Sequence, residues 1–228
     1  MKTAAVIWRD SSNPSNTTPS TPAFGARSLP RMEIQRFNRA SPKYPALVAE
    51  RLGTHAPAEL ALAGNSAILG LPLTALFCSN QCPGSAILRA LDLAAQLRDS
   101  NRAVISGFHT PVEKECLAIL LRGKSPIVIC PARSLDRYRI PADWKSPLAQ
   151  GRLLLLSPFP TGTHRATAET AQRRNEFVAA LADEVHIAYA SPGGHLQSLI
   201  QIINLWGIPH RLPSNRHHNS CTAYASTP

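Results

Sequence analysis

The chain has 228 residues, 44% of them hydrophobic, which is enough to bury one sizeable core and favours a single domain. Its 24 lysines and arginines outnumber 14 aspartates and glutamates, giving a net charge of +10 that is consistent with polyanion binding or simply with solubility. The five cysteines are irregularly spaced, which disfavours a disulfide framework or a zinc site. The sequence also lacks a run of about 18 apolar residues, so we expect a cytoplasmic protein without a membrane partner.

Composition divides the chain into three parts. Residues 1–42 are predicted to be disordered, because their Ser-, Thr-, Asn- and Pro-rich stretch buries too little apolar surface to offset the entropy of ordering. Met32 follows that stretch and is an alternative start of the chain. Residues 43–212 are predicted to form one Rossmann-like domain, and residues 213–228 to form a flexible tail.

Strand and helix patterns alternate within the predicted domain. Residues 44–52 favour a short helix, residues 60–65 a leading segment packed onto the core, and residues 136–151 a loop with a short helix. The strands are predicted at 73–78, 102–107, 126–131, 153–156, 185–190 and 208–212, and the helices at 85–98, 111–122, 166–182 and 195–206. This alternation predicts an α/β fold with a doubly wound, mostly parallel sheet.

Serine, glycine and arginine residues cluster where such a fold binds ligands. The carboxyl ends of parallel strands share one edge of the sheet, where glycines let backbone N–H groups approach an anion at a helix N-terminus. The candidate nucleic-acid or phosphate-binding residues are Ser79, Ser106, Gly107, Arg173, Arg174, Asn175, Gly193, Gly194 and His195. An ordinary turn and a solvated helix face are the alternatives for these glycines and arginines. We predict no catalytic residue and no metal ligand.

The turn after the first predicted strand disfavours a dinucleotide cofactor. A dinucleotide fingerprint needs three glycines at fixed spacing, and this turn contains only Gly84. We therefore expect no cofactor.

Three motifs together resemble the DprA/Smf DNA-processing family. They are Ser106-Gly107 followed by Glu113, the stretch at residues 154–162, and Arg173-Arg174-Asn175. The resemblance covers roughly residues 44–209 and implies a Rossmann-like domain that binds single-stranded DNA and helps to load a RecA-type recombinase. A homodimer is one option for its assembly. The family's Gly-Ser-Arg is replaced here by Cys78-Ser79-Asn80, so one phosphate-binding arginine is absent.

Pro192-Gly193-Gly194 also resembles the phosphate loop of the LOG-type phosphoribohydrolases. That family continues with Gly-Thr and a catalytic glutamate, whereas this chain continues with His195, Leu196 and Gln197. Hydrolysis would therefore lack its catalytic carboxylate. The second hypothesis is a pocket for a small nucleotide, which the protein either hydrolyses or only binds. An interaction scaffold with an empty pocket is the third.

Overall fold

The computed structural model describes residues 33–100 and 102–212, which are organised around one eight-stranded sheet. The predictions of a disordered N-terminal segment up to residue 32, of an alternative start at Met32 and of a flexible tail after residue 212 lie outside these residues.

The sheet has the strand order β1-β2-β6-β5-β4-β3-β7-β8. The strands from β6 to β8 in this order are parallel, while β2 runs antiparallel to both of its neighbours, β1 and β6. The strands are β1 (Gln35–Asn38), β2 (Glu59–Gly64), β3 (Leu73–Cys78), β4 (Ala103–Ser106), β5 (Ile127–Ile129), β6 (Leu153–Ser157), β7 (Glu184–Tyr189) and β8 (His210–Arg211).

In the described part of the chain, six α-helices connect and cover these strands. They are α1 (Ala46–Leu52), α2 (Gly84–Leu97), α3 (Pro111–Leu121), α4 (Lys145–Ala149), α5 (Ala168–Leu181) and α6 (His195–Leu205). Short 3-10 helices lie at Gly53–His55, Ser66–Gly70 and Ala142–Trp144. Within the described residues, every helix is too short or too polar to cross a membrane.

The sheet separates two hydrophobic clusters. Leu154 and Leu156 of β6 point into the cluster formed with α1, α5 and α6, while Leu153 and Leu155 point into the cluster formed with α2 and α3. Successive side chains of a strand point to opposite faces, so a strand buried on both faces is apolar at every position. This layering confirms the predicted α/β fold with a mostly parallel, doubly wound sheet.

The N-terminal edge of the sheet differs from the sequence-based expectation. Residues 60–65, predicted as a leading segment, mostly belong to β2, and β1 lies within the segment predicted to be disordered up to residue 42. The residues from Leu60 to Ala63 are buried because β2 inserts between β1 and β6, and β6 is far from β2 in sequence. The local pattern of an apolar run carries no information about such distant partners.

Candidate nucleic-acid interface

The carboxyl ends of β3, β4, β5 and β7 lie side by side at one edge of the sheet, because these four neighbouring strands are parallel. The chain crosses to the other side of β3 when it forms β7, so the order of strand formation reverses between these two strands. Ligands of open α/β sheets bind at such reversal points, outside the carboxyl ends of the strands.

Arg174 is the central residue of this edge. Thr167 caps the N-terminus of α5, which places Arg174 in the second turn of the helix. Its side chain is almost fully buried: Nη1 donates to the carbonyl oxygen of Cys130 at 3.0 Å, and Nε donates to Oδ1 of Asn175 at 2.7 Å. Nη2 lies 3.0 Å from Nδ1 of His109. Burial lowers the pKa of Arg174, and the charge of Glu113 opposes that effect.

Gly107 leaves the space that this guanidinium occupies. A Cβ atom at position 107 would overlap Nη1, Nη2 and Cζ of Arg174. The glycine is therefore required for close approach rather than for an unusual backbone angle, since its φ is not positive. The position of the Arg174 guanidinium therefore depends on the absence of a side chain at position 107.

Glu113 lies in the first turn of α3 and connects this helix to the end of β3 and to the loop after β4. Its buried carboxylate accepts hydrogen bonds from the backbone N–H groups of Cys78, His109 and Thr110. Burial alone would raise the pKa of Glu113, but the hydrogen bond from His109 and the charge of Arg174 outweigh it and hold the pKa below its ordinary value. Glu113 thus positions the loop that contacts Arg174.

The loops after β3 and β7 are tied to each other. The backbone N–H of Ser191 donates to Oγ of Ser79 at 2.9 Å, and Oγ of Ser191 donates to the carbonyl oxygen of Gln81 at 3.1 Å. Gly193 has a φ of 69°, and its N–H donates to Oε1 of Gln197 at 2.7 Å. The side chain of Gln197 therefore already accepts the hydrogen bond of a backbone N–H that was predicted to bind a phosphate.

A cavity of about 740 Å³ opens beside Arg174, between α3, α5 and the segment that follows β5. Its charged lining residues are three cations, Lys114, Arg133 and Arg174, and one carboxylate, Asp143. His109 lines it too, with an exposed side chain. This cavity, which we call the basic cavity, has the charge that attracts an anion.

Arg173 lies in a different groove, on the other side of α5. Its side chain is exposed and lines this groove together with three carboxylates, those of Glu59, Glu169 and Glu176. Successive residues of a helix point about 100° apart, so α5 separates the two arginines. We call this second groove the acidic groove.

The comparison with known proteins shows the family of this chain. The model of the family described as DNA recombination-mediator protein A matches residues 35–201, which is most of the chain. The chain belongs to this family. No curated protein matches it.

Solved structures of two family proteins are similar in fold. DNA processing protein A (DprA) from Streptococcus pneumoniae has a TM-score of 0.65 and 19% identity over 78% of this chain, and the match spans 62% of the S. pneumoniae chain. DNA processing protein A from Helicobacter pylori, described for its single-stranded DNA binding mode, has a TM-score of 0.62 and 18% identity, with 79% of this chain and 80% of the other covered. At such identities the likeness shows the fold.

The structure divides the nine predicted site residues into groups. Gly107 and Arg174 line the basic cavity, Asn175 contacts Arg174 beside it, and Arg173 faces the acidic groove. Ser106 is fully buried and lines neither the basic cavity nor the acidic groove, and its Oγ accepts the N–H of Phe108 at 3.3 Å, so in this structure it shapes the loop. The remaining four, at the ends of β3 and β7, are Ser79, Gly193, Gly194 and His195.

Sequence reasoning missed Lys114 and Arg133 as lining residues of the basic cavity. Arg133 follows the end of β5 by four residues, and this position after a strand was the available signal. Lys114 lies on α3, where its exposed side chain resembles any solvated helix charge.

Proposed function

We propose that this protein binds single-stranded DNA, with the phosphates at the basic cavity on the carboxyl edge of its sheet. The observation that carries the proposal is the charge of that cavity, where three cations face one carboxylate at the ligand edge of the fold. Membership of the recombination-mediator family supports it, as does the single-stranded DNA binding described for the H. pylori protein.

The cations have separate tasks in this proposal. Arg174 is held by Cys130 and Asn175, so its charge is fixed in place before a ligand arrives. Arg133 and Lys114 are more exposed and contact successive phosphates of the strand. A guanidinium suits phosphate oxygens because its planar fork donates two parallel hydrogen bonds.

A small nucleotide is the second candidate ligand. The volume of about 740 Å³ lies within the range of small-molecule pockets, so the cavity can enclose one nucleotide. Ligand size separates the two candidates. A DNA-binding site gains affinity as an oligonucleotide lengthens, whereas a nucleotide pocket does not.

The test is a titration of fluorescent oligothymidylate at several salt concentrations, with Arg133→Ala as the variant and Arg173→Ala as its matched control. Each lost phosphate contact on single-stranded DNA flattens the slope of log affinity against log salt by about 0.7. We expect Arg133→Ala to weaken binding and flatten the slope, and Arg173→Ala to bind as the parent does.

Equal slopes for both variants would contradict the assignment of phosphates to the basic cavity. Complete competition by thymidine monophosphate at a concentration equal to that of the oligonucleotide's nucleotides would favour the small-nucleotide alternative. The competition uses the same fluorescent oligonucleotide as the titration.

The family's role gives the biological context that we propose. The family is described as a recombination mediator, so we propose a RecA-type recombinase as the partner in recombination or DNA uptake. The measurement is the rate at which such a recombinase forms filaments on single-stranded DNA, with and without this protein. An unchanged rate would contradict the proposed recombinase partner but not the proposed DNA binding.

A further inference from the structure

His109 lies in the loop after β4 and lines the basic cavity, and the function proposed above does not use it. Its Nδ1 lies 3.0 Å from Nη2 of Arg174 and 3.4 Å from Oε2 of Glu113. The side chain is 55% exposed, so a ligand in the cavity can reach the ring. One nitrogen of an accessible imidazole therefore lies between a buried cation and a buried carboxylate.

The backbone of this loop is strained and firmly held. Phe108, directly before His109, has a φ of 47°, in the left-handed region that residues with a side chain rarely adopt. The N–H of Phe108 donates to Oγ of Ser106 at 3.3 Å, and its side chain is buried. The N–H of His109 donates to Oε2 of Glu113 at 3.0 Å. Such strain persists only where surrounding contacts fix it, so the loop determines where the His109 ring lies.

The contact with Arg174 defines the protonation state of this ring. A guanidinium has only donors, so Nδ1 of His109 accepts the hydrogen bond from Nη2 and carries no proton. The neutral ring then has its proton on Nε2. A proton on Nδ1 would place two donors against each other and break this contact, and Nδ1 would donate to the carboxylate of Glu113 instead. The ring therefore has two arrangements, and the protonated one releases Nη2 of Arg174.

We propose that protonation of His109 strengthens the binding of single-stranded DNA at the basic cavity, so that pH controls the affinity. The protonated ring adds a positive charge to the cavity and leaves Nη2 of Arg174 to donate to a phosphate oxygen. A bound phosphate in turn favours the protonated ring, because ligand binding and protonation are linked reciprocally. Histidine is the side chain whose charge ordinarily changes between about pH 5 and 8, so the effect is expected in that range.

Charged groups of several elements surround this ring. Lys114 of α3, Arg133 of the segment after β5 and Arg174 of α5 line the same cavity and oppose a further positive charge. Asp143, which also lines the cavity, and Glu113 favour it. Three cations against two carboxylates leave the surroundings of the ring positive, and the phosphates of a bound strand reverse that sign.

This inference rests on the proposed function, and its test distinguishes the two. Fluorescent oligothymidylate is titrated at about pH 5.5 and about pH 8.5, at one salt concentration, with the parent protein, His109→Gln and His55→Gln. Glutamine does not titrate and keeps an acceptor for Arg174. His55→Gln is the matched control, because the exposed His55 lines the acidic groove on the other side of α5.

We expect the parent and His55→Gln to bind about tenfold more tightly at the lower pH, and His109→Gln to differ less than about twofold between the two. Equal pH dependence of His109→Gln and the parent would overturn the proposal, as would a parent with the same affinity at both pH values. Either result leaves the DNA binding in place. Failure of all three proteins to bind at low salt would overturn the proposed function, and the inference with it.

A second measurement follows the ring itself. The Cε1–H signal of a histidine in NMR spectra reports its protonation, and the signal of His109 is the one missing from the spectrum of His109→Gln. We expect added oligothymidylate to keep this ring protonated to a higher pH than in the free protein. The same titration of this signal with and without bound DNA would contradict the linkage.

Discussion

Replacement of Gly107 by Ala is the most direct test of how the candidate site is built. The added methyl group would lie within the guanidinium of Arg174, well inside the 3.0 Å that Cβ atoms essentially never approach. Alanine is compatible with the backbone at this position, since φ is not positive. Any loss of stability in Gly107→Ala must therefore come from the displacement of the Arg174 side chain.

Its magnitude follows from the contacts of the displaced side chain. Arg174 would give up its 3.0 Å contacts with the carbonyl oxygen of Cys130 and with Nδ1 of His109. Hydrogen bonds from a charged donor contribute about 1.5–3 kcal/mol each. Because Arg174 is 1% exposed, water does not replace these partners in place, and we expect Gly107→Ala to lower the free energy of unfolding by about 3–5 kcal/mol.

The assay is urea unfolding of a double-mutant cycle. In an Arg174→Ala background the obstacle is gone, so we expect Gly107→Ala to change the free energy of unfolding by less than about 1 kcal/mol. Gly70→Ala is the control, because a Cβ atom there meets nothing within 4 Å. Additive effects at positions 107 and 174 would refute the reasoning.

Three further predictions concern residues outside this pair. Glu113→Gln should destabilise the protein by about 1–3 kcal/mol at neutral pH. Because the pKa of Glu113 is lowered by folding, the difference should shrink in acid-unfolding measurements as the pH falls below about 4.3 and through the lower folded pKa. Gly193→Ala should cost about 1–2 kcal/mol in urea unfolding, because φ is 69° there and a Cβ atom has open space, so only backbone strain acts. Burial raises the pKa of Cys116 and of Cys130 to about 12, so mass spectrometry should show their alkylation at pH 8 to be about a thousandfold slower in the native protein than in urea.

The central helices and strands were predictable from the sequence because their signals are local. Thr110, Pro111 and Glu113 form a capping box with proline at the first helical position, and α3 begins there as the pattern indicated. The run that forms β6 is apolar at every position from Leu153 to Leu156, as a strand buried on both faces requires. These features need no knowledge of distant parts of the chain.

The site was less predictable, because two adjacent arginines are equivalent in sequence. Arg174 is buried because Gly107 leaves space for its guanidinium and the carbonyl oxygen of Cys130 accepts a hydrogen bond from it. Arg173 instead lines a groove that also contains Glu169 and Glu176. Helical spacing indicates that the two side chains point apart. Only the tertiary structure reveals which one is buried.

The separation of the basic cavity from the acidic groove by α5 has a consequence for the speed of the DNA binding that we propose. A polyanion approaching the acidic groove is repelled by three carboxylates, while one approaching the basic cavity is attracted. Such a field orients the encounter before contact and raises the association rate constant. Added salt weakens this long-range steering, so the association rate constant itself should fall as ionic strength rises.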